Sequence, residues 1–108
     1  MKYVELERTV RVTPNKISKF KDPCVHLWHL ASPPKYGVSL QKDSRYWIRS
    51  YANHYTDNLE SAVRLCYEIH NILEIPIEKF HVSGSVELTT DWLREQIQSF
   101  DKKANDNE

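Results

Sequence analysis

The run from Asp57 to Leu73 constrains the fold more than any other part of the chain, because its apolar residues recur at helical spacing. Asp57 and Glu60 have the spacing of a capping box, which predicts that the helix begins at Asp57. The apolar stripe consists of Leu59, Ala62, Val63, Leu65, Cys66, Ile69, Ile72 and Leu73. A stripe this wide is typical of a helix that lies across a sheet, so we expect the rest of the chain to supply that sheet.

Segments with alternating or continuous apolar residues predict the strands of the sheet. They are residues 3–13, 24–31, 38–41, 45–51 and 80–88. Arg8 interrupts the apolar face of the first strand, which indicates a bulge or a place where that face meets solvent or a partner. Residues 24–31 favour a strand over a helix because they are apolar on both faces. The two segments around Lys42-Asp43-Ser44 predict a β-hairpin.

The order of these elements predicts the α+β class. A second helix is expected from Thr89-Thr90-Asp91 to Phe100, and a length of 108 residues suits one domain with one core. We therefore predict an antiparallel sheet of about four to five strands, packed by two helices on one face. Residues 1–100 would form the domain, and the polar residues 101–108 would be a disordered tail.

Composition and short motifs exclude several functional classes. The chain has only two Gly, which excludes a Gly-rich phosphate loop, and no apolar run is long enough to span a membrane. The first seven residues lack the apolar segment of a secretory signal. We therefore expect a cytoplasmic protein whose two Cys are free thiols. No motif in the chain indicates a cofactor.

His and Cys residues offer only weak candidates for a metal or catalytic site. Cys24 and His26 would share one face of a strand with His29 on the other, and Cys66 precedes His70 by one helical turn. Structural zinc needs about four converging ligands, and no close ligand motif is present. Cys66 belongs to the apolar stripe, where burial makes a thiol unreactive. We therefore predict neither a metal site nor an enzyme.

The net charge of zero conceals an uneven distribution of charge along the chain. Residues 1–52 contain ten Lys and Arg against four Asp and Glu, whereas residues 53–108 contain five against eleven. This pattern is compatible with ordinary solvated surfaces. It also suits a basic face that attracts nucleic acid, a nucleotide or an acidic protein, or self-association between basic and acidic faces.

Basic and aromatic residues concentrate around the predicted hairpin. If Ile48 faces the helix, then alternate residues of the second strand point outward. The predicted binding residues are Lys35, Lys42, Arg45, Trp47, Arg49, Tyr51 and His54. Lys and Arg neutralise phosphates, and exposed aromatic rings stack on bases. We therefore expect a non-enzymatic domain that binds nucleic acid or a nucleotide through a basic, aromatic sheet face.

The alternative function is a protein-interaction module. The small size and the absence of catalytic motifs suit a regulator or inhibitor of a larger complex, of the kind that phages and mobile elements encode. The opposite charges of the two halves would also allow a homodimer.

The middle of the chain contains four short segments in a strand–hairpin–helix order, namely Tyr36-Gly37-Val38-Ser39, Arg45-Tyr46-Trp47-Ile48-Arg49, Leu59-Glu60-Ser61-Ala62 and Tyr67. This run resembles that of AP2-type and integrase arm-type DNA-binding domains. The resemblance implies a sheet that reads the major groove through Arg45, Trp47 and Arg49. The chain departs from the pattern where a third strand is expected, which is missing or compressed into residues 52–56.

Overall fold

The computed structural model describes residues 2–7, 9–46 and 49–106. The strands are β1 (Val4–Leu6), β2 (Val10–Val12), β3 (Cys24–His29), β4 (Tyr36–Gln41), β5 (Ala52–Thr56) and β6 (Phe80–Ser83). The helices are α1 (Pro14–Ile17), α2 (Leu59–Leu73) and α3 (Thr90–Asp106). This confirms the predicted α+β class. Within these described ranges, no helix has both the length and the apolar character needed to cross a membrane.

The main sheet has four strands in the order β5-β4-β3-β6, and β1 and β2 form a separate hairpin. β4 is antiparallel to both β3 and β5, but β6 is parallel to β3, so the prediction of an entirely antiparallel sheet is wrong. Alternation along a strand does not encode the direction of its neighbour. The parallel pair arises because α2 carries the chain across the sheet, from β5 at one edge to β6 at the other.

The helices cover one face of the sheet. Val25 pairs with Leu40, and Leu27 pairs with Val38, so these buried side chains share that face. The remaining core is contributed mainly by α2, α3 and the hairpin. Its fully or almost fully buried members include Val4, Leu6, Val12, Ala62, Cys66, Ile69, Leu73, Leu93 and Ile97. The predicted stripe of α2 is therefore the surface that packs on the sheet.

Two of the predicted strands are wrong in extent. The single strand predicted at residues 3–13 is instead the two paired strands β1 and β2; Thr9 between them has a φ of 65°, and Arg8 lies outside the described residues. β6 ends at Ser83, because Gly84 has a φ of 74° and lies against the backbone of His29. A Cβ on Gly84 would lie 2.8 Å from the carbonyl oxygen of His29, so the two backbones approach too closely for a side chain at this position.

The predicted hairpin has the right first strand and the wrong second strand. β4 pairs with β5, which occupies residues 52–56, where the third strand of the AP2-type pattern was expected to be missing or compressed. Ser44–Tyr46 forms a 3-10 turn, and Trp47 and Ile48 lie outside the described residues. Alternation in residues 45–51 was therefore a misleading signal, because the pairing of β4 is taken by the segment that follows.

Both long helices begin near the predicted residues but with different details. The cap of α2 is Asn58, whose Oδ1 accepts the backbone N–H of Ser61 at 3.0 Å. The carboxylate of Asp57 instead accepts the backbone N–H of Lys35. At α3, the hydroxyl of Thr89 accepts the backbone N–H of Trp92. α3 extends beyond the predicted end at Phe100 to Asp106, since no Gly or Pro interrupts that segment.

Substitution of Asn58 by Ala should lower the free energy of unfolding by about 1 kcal/mol, because the first turn of α2 loses its cap. Asn58→Asp is the matched control, since a carboxylate oxygen can accept the same N–H and should preserve stability. Urea denaturation followed by circular dichroism measures both variants. Equal losses in the two variants would contradict the assignment of Asn58 as the cap.

Candidate functional site

Two adjoining concavities lie where the β4–β5 connection meets the segment that follows α1. Their volumes are about 370 and about 460 Å³, and both are lined by Lys42 and Asp43. We call them together the cationic basin. The residues that line it are Lys16, Lys19, Phe20, Lys21, Lys42, Asp43, Tyr46, Arg49, Ser50 and Tyr51. The basin therefore brings five Lys and Arg side chains together with three aromatic rings.

Backbone hydrogen bonds join the two segments that form the basin. Asp22 forms a parallel bridge with Asp43. The N–H of Asp22 donates to the carbonyl of Lys42 at 3.0 Å, and the N–H of Ser44 donates to the carbonyl of Asp22 at 2.8 Å. The hydroxyl of Ser44 also donates to the carboxylate of Asp22. These contacts hold residues from distant parts of the sequence in one surface.

Phe20 and Tyr51 form the aromatic centre of the basin. Their rings meet edge to face with centroids 5.1 Å apart. The ammonium nitrogens of Lys16 and Lys42 lie 5.6 and 5.5 Å from the centroid of the Tyr51 ring. Attraction between a cation and an aromatic ring favours this placement. Both ammonium groups are therefore within 6 Å of the same ring centroid.

Asp43 is the one carboxylate among the residues that line the basin, and Arg45 neutralises it. The Arg45 side chain donates to both carboxylate oxygens, at 3.1 and 2.8 Å, and its backbone N–H donates at 3.1 Å. These hydrogen bonds lower the pKa of Asp43 to about 2. The positive charges of the basin are therefore not offset by an unpaired carboxylate.

The structure brings together only some of the predicted binding residues. Lys42, Arg49 and Tyr51 line the basin, and Arg45 contributes through Asp43. They lie in a connection between strands and not on an outward strand face. The other three candidates fall elsewhere, because Lys35 lies beyond the opposite end of β4, His54 pairs with the core residue Val38, and Trp47 lies outside the described residues.

Sequence analysis missed half of the basin. The spacing of Ile17 and Phe20 predicts only that a helical turn docks the segment around them on the core. The basin residues that the segment supplies are Lys16, Lys19, Phe20 and Lys21. A turn does follow α1, because the N–H of Phe20 donates to the carbonyl of Ile17 at 2.9 Å, and Ile17 is buried while Phe20 is half-buried. The density of Lys in the segment was the available signal. Its convergence with Lys42 depends on the bridge between Asp22 and Asp43, which no local pattern reveals.

The face of the sheet opposite the helices carries polar and aromatic side chains. Strand register places Cys24, His26, Trp28, Gly37, Ser39, Gln41, Asn53, Tyr55, His81 and Ser83 on this face. None of these residues is Lys, Arg, Asp or Glu. The Ser39 hydroxyl donates to Asn53 Oδ1 at 2.8 Å, and Asn53 Nδ2 donates to the Ser50 hydroxyl at 2.8 Å. The face is therefore neutral and rich in hydrogen-bonding groups, which range from the buried Ser39 and Gln41 to the half-buried Asn53.

The His and Cys candidates have structural partners. The Cys24 thiol donates to Gln41 Oε1 at 2.9 Å, and burial raises the pKa of Cys24 to about 11. Burial likewise raises the pKa of Cys66 to about 12, so neither thiol is poised as a nucleophile. His70 Nδ1 lies 2.7 Å from the carbonyl oxygen of Ile75, to which a ring N–H there would donate. In the described part of the chain, no three His, Cys, Asp or Glu residues are grouped so that they could hold a metal ion.

No family model matches the chain, and the searches of curated proteins and of solved structures found no significant match. The resemblance to AP2-type domains thus has no independent support. The position of Arg45 in a 3-10 turn also differs from the groove-reading strand that the resemblance implies. The function must therefore be argued from the surfaces of this molecule.

Stability should depend on pH through His26. Burial, with a smaller contribution from His81, lowers the pKa of His26 from 6.5 to about 4. Between these pH values the unfolded chain binds a proton that the folded protein rejects, so the free energy of unfolding falls as the pH falls. Because the ring is partly exposed, we expect a loss on the order of 1 kcal/mol between about pH 7 and about pH 5.

Urea denaturation at the two pH values measures this effect in the wild type and in His26→Gln, which has no titrating ring. We expect a smaller loss in the variant. His81 is retained in both proteins, and its pKa is also lowered, so part of the pH dependence should remain in His26→Gln. An unchanged loss in the variant would show that His26 does not carry the effect.

Proposed function

We propose that the protein binds nucleic acid through the cationic basin and that it does so without catalysing a reaction. The observation that carries this proposal is the grouping of five Lys and Arg around the Phe20–Tyr51 pair, with the lining carboxylate neutralised by Arg45. Lys and Arg at such a surface bind phosphates and release the counterions condensed on them.

The shape of the basin favours a polymer over a single nucleotide. Its cations are distributed over two adjoining concavities instead of converging on one point. A chain of phosphates could contact several of them in succession. Tyr46 is 59% exposed and lines one of the two concavities, which leaves its ring accessible for stacking on a base. Tyr51 is more buried, and its ring is in contact with Phe20 and the two lysines.

Binding to a short fluorescent oligonucleotide should weaken as salt rises, and Lys42→Ala should weaken it at every salt concentration. Loss of one phosphate contact should reduce the slope of log affinity against log salt by about one. Fluorescence anisotropy over a salt titration measures both quantities. Lys102→Ala, which removes an exposed Lys of α3 that does not line the basin, is the matched control. Equal effects of the two substitutions would contradict a role for the basin.

Arg45→Ala should weaken the same binding by about two- to fivefold, because the charge of Asp43 would then oppose the phosphates. The double variant Asp43→Asn with Arg45→Ala removes both charges and should restore most of the affinity. Anisotropy at one fixed salt concentration compares the three proteins. Persistent weak binding in the double variant would indicate that Arg45 contacts the ligand directly and does not act through Asp43.

A second candidate function is protein interaction through opposite charges. The basin lies in the basic half of the sequence, and residues 53–108 carry eleven Asp and Glu against five Lys and Arg. A second copy could place an acidic helix surface on the basin. Light scattering at low and high salt distinguishes this case, since a dimer held by these charges should dissociate as salt rises. A monomer at every salt concentration would count against the homodimer.

A further inference from the structure

The open face of the sheet contains a slot between aromatic side chains. Strand register aligns Trp28 of β3, Gly37 of β4 and Tyr55 of β5 in one row. The Tyr55 ring lies over Gly37, with Cε1 only 2.9 Å from the position that a Cβ would take. Tyr55 is nevertheless 50% exposed. A glycine at the centre of the row thus allows an aromatic ring to lie against the sheet while much of its surface remains accessible.

The slot has a volume of about 210 Å³ and a neutral lining. The residues that line it are Trp28, Leu30, Ser39, Gln41, Ser50, Asn53 and Tyr55. Its polar groups include the linked hydroxyl and amide groups of Ser39, Asn53 and Ser50. The combination of aromatic surfaces with amide and hydroxyl groups suits a flat, uncharged ligand that both stacks and forms hydrogen bonds.

The slot adjoins the cationic basin, since Ser50 lines both concavities. The two surfaces differ in charge, because the basin is lined by five cationic side chains and the slot by none. A ligand that fits both must carry negative charge along one part and present neutral planar rings on another. An unpaired strand of nucleic acid has this arrangement.

We infer that the slot binds an unpaired base of the same strand whose phosphates lie in the basin, so that the protein selects single-stranded over duplex nucleic acid. This inference rests on the proposed function of the basin. In a duplex the bases are stacked on one another and paired, and their faces cannot reach Tyr55. In a single strand an unpaired base is free to rotate away from its neighbours and stack on the exposed ring.

The test compares three ligands of equal length, namely a labelled oligothymidine of about eight nucleotides, the same strand with abasic sites, and a duplex. Anisotropy at fixed low salt should show wild-type binding to oligothymidine about tenfold tighter than to the abasic strand, because only the former supplies bases for stacking. The duplex should lack this tenfold gain in affinity, because its paired bases cannot stack on Tyr55.

Two disruptive variants and two controls locate the effect at the slot. Tyr55→Ala should reduce the preference for oligothymidine over the abasic strand to near parity, and Tyr55→Phe should retain it because the ring remains. Gly37→Ala should reduce the preference too, since its Cβ displaces the Tyr55 ring. Lys42→Ala should weaken binding to both strands by the same factor and leave their ratio unchanged. Circular dichroism and urea denaturation establish that each variant is folded.

The outcomes separate the two proposals. If the abasic strand and the duplex bind the wild type as tightly as oligothymidine does, the slot does not bind a base, and the basin alone accounts for affinity. The same conclusion follows if Tyr55→Ala keeps the full preference. If none of the three ligands binds at low salt, the proposed function is wrong, and the inference that rests on it is wrong as well.

Discussion

Burial of the apolar stripe of α2 against one face of the sheet is the interaction on which the rest of the structure depends. Cys66 and Ile69 of α2 belong to one core with the inward residues of β3 and β4, and all of them are fully buried. Removing this much apolar surface from water is the main favourable contribution to the fold of a small domain. Because side chains alternate along a strand, the choice of inner face also determines which side chains remain on the outer one.

The path of α2 has a second consequence. The helix carries the chain from the β5 edge to the β6 edge, which places β6 parallel to β3. This pairing brings His81 beside His26, with ring centroids 5.2 Å apart, and brings Ser83 within 2.9 Å of His26 Nδ1. His26, which was considered as a metal ligand, therefore belongs to a hydrogen-bonded sheet face that it shares with His81. Their neutral forms are favoured by burial, which keeps positive charge away from this face.

The outer edge of the sheet at β6 is closed by α3. The Arg94 side chain donates to the carbonyl oxygens of Phe80 and Glu78, at 3.1 and 2.8 Å. The N–H of Val82 donates to the hydroxyl of Thr90 at 3.0 Å. Backbone groups that could pair with another chain are thus occupied by side chains of this one. The neutral sheet face and the basic basin at the end of it are not covered by this packing.

The spacing of apolar residues in the sequence was sufficient to predict the elements whose apolar side chains form a continuous surface. The α2 stripe lies where its spacing predicts, and the strand predicted at residues 24–31 is present as β3, which ends at His29. The same spacing gave a wrong prediction at residues 45–51, where apolar and polar residues alternate but β4 pairs with β5 instead. Alternation shows only that a segment could have two faces, and the partner strand decides whether it does.

The sequence by itself thus determined the α+β class, the covering helix and a basic, aromatic region near residue 45. Only the tertiary structure decided which cations share a surface, because Lys16 and Lys42 meet through the contact between Asp22 and Asp43. The tertiary structure also decided that the Tyr55 ring lies over Gly37, where the absence of a Cβ leaves room for it. Both depend on which strands are neighbours, and that is fixed by burial of the whole core and not by the residues adjacent in the chain.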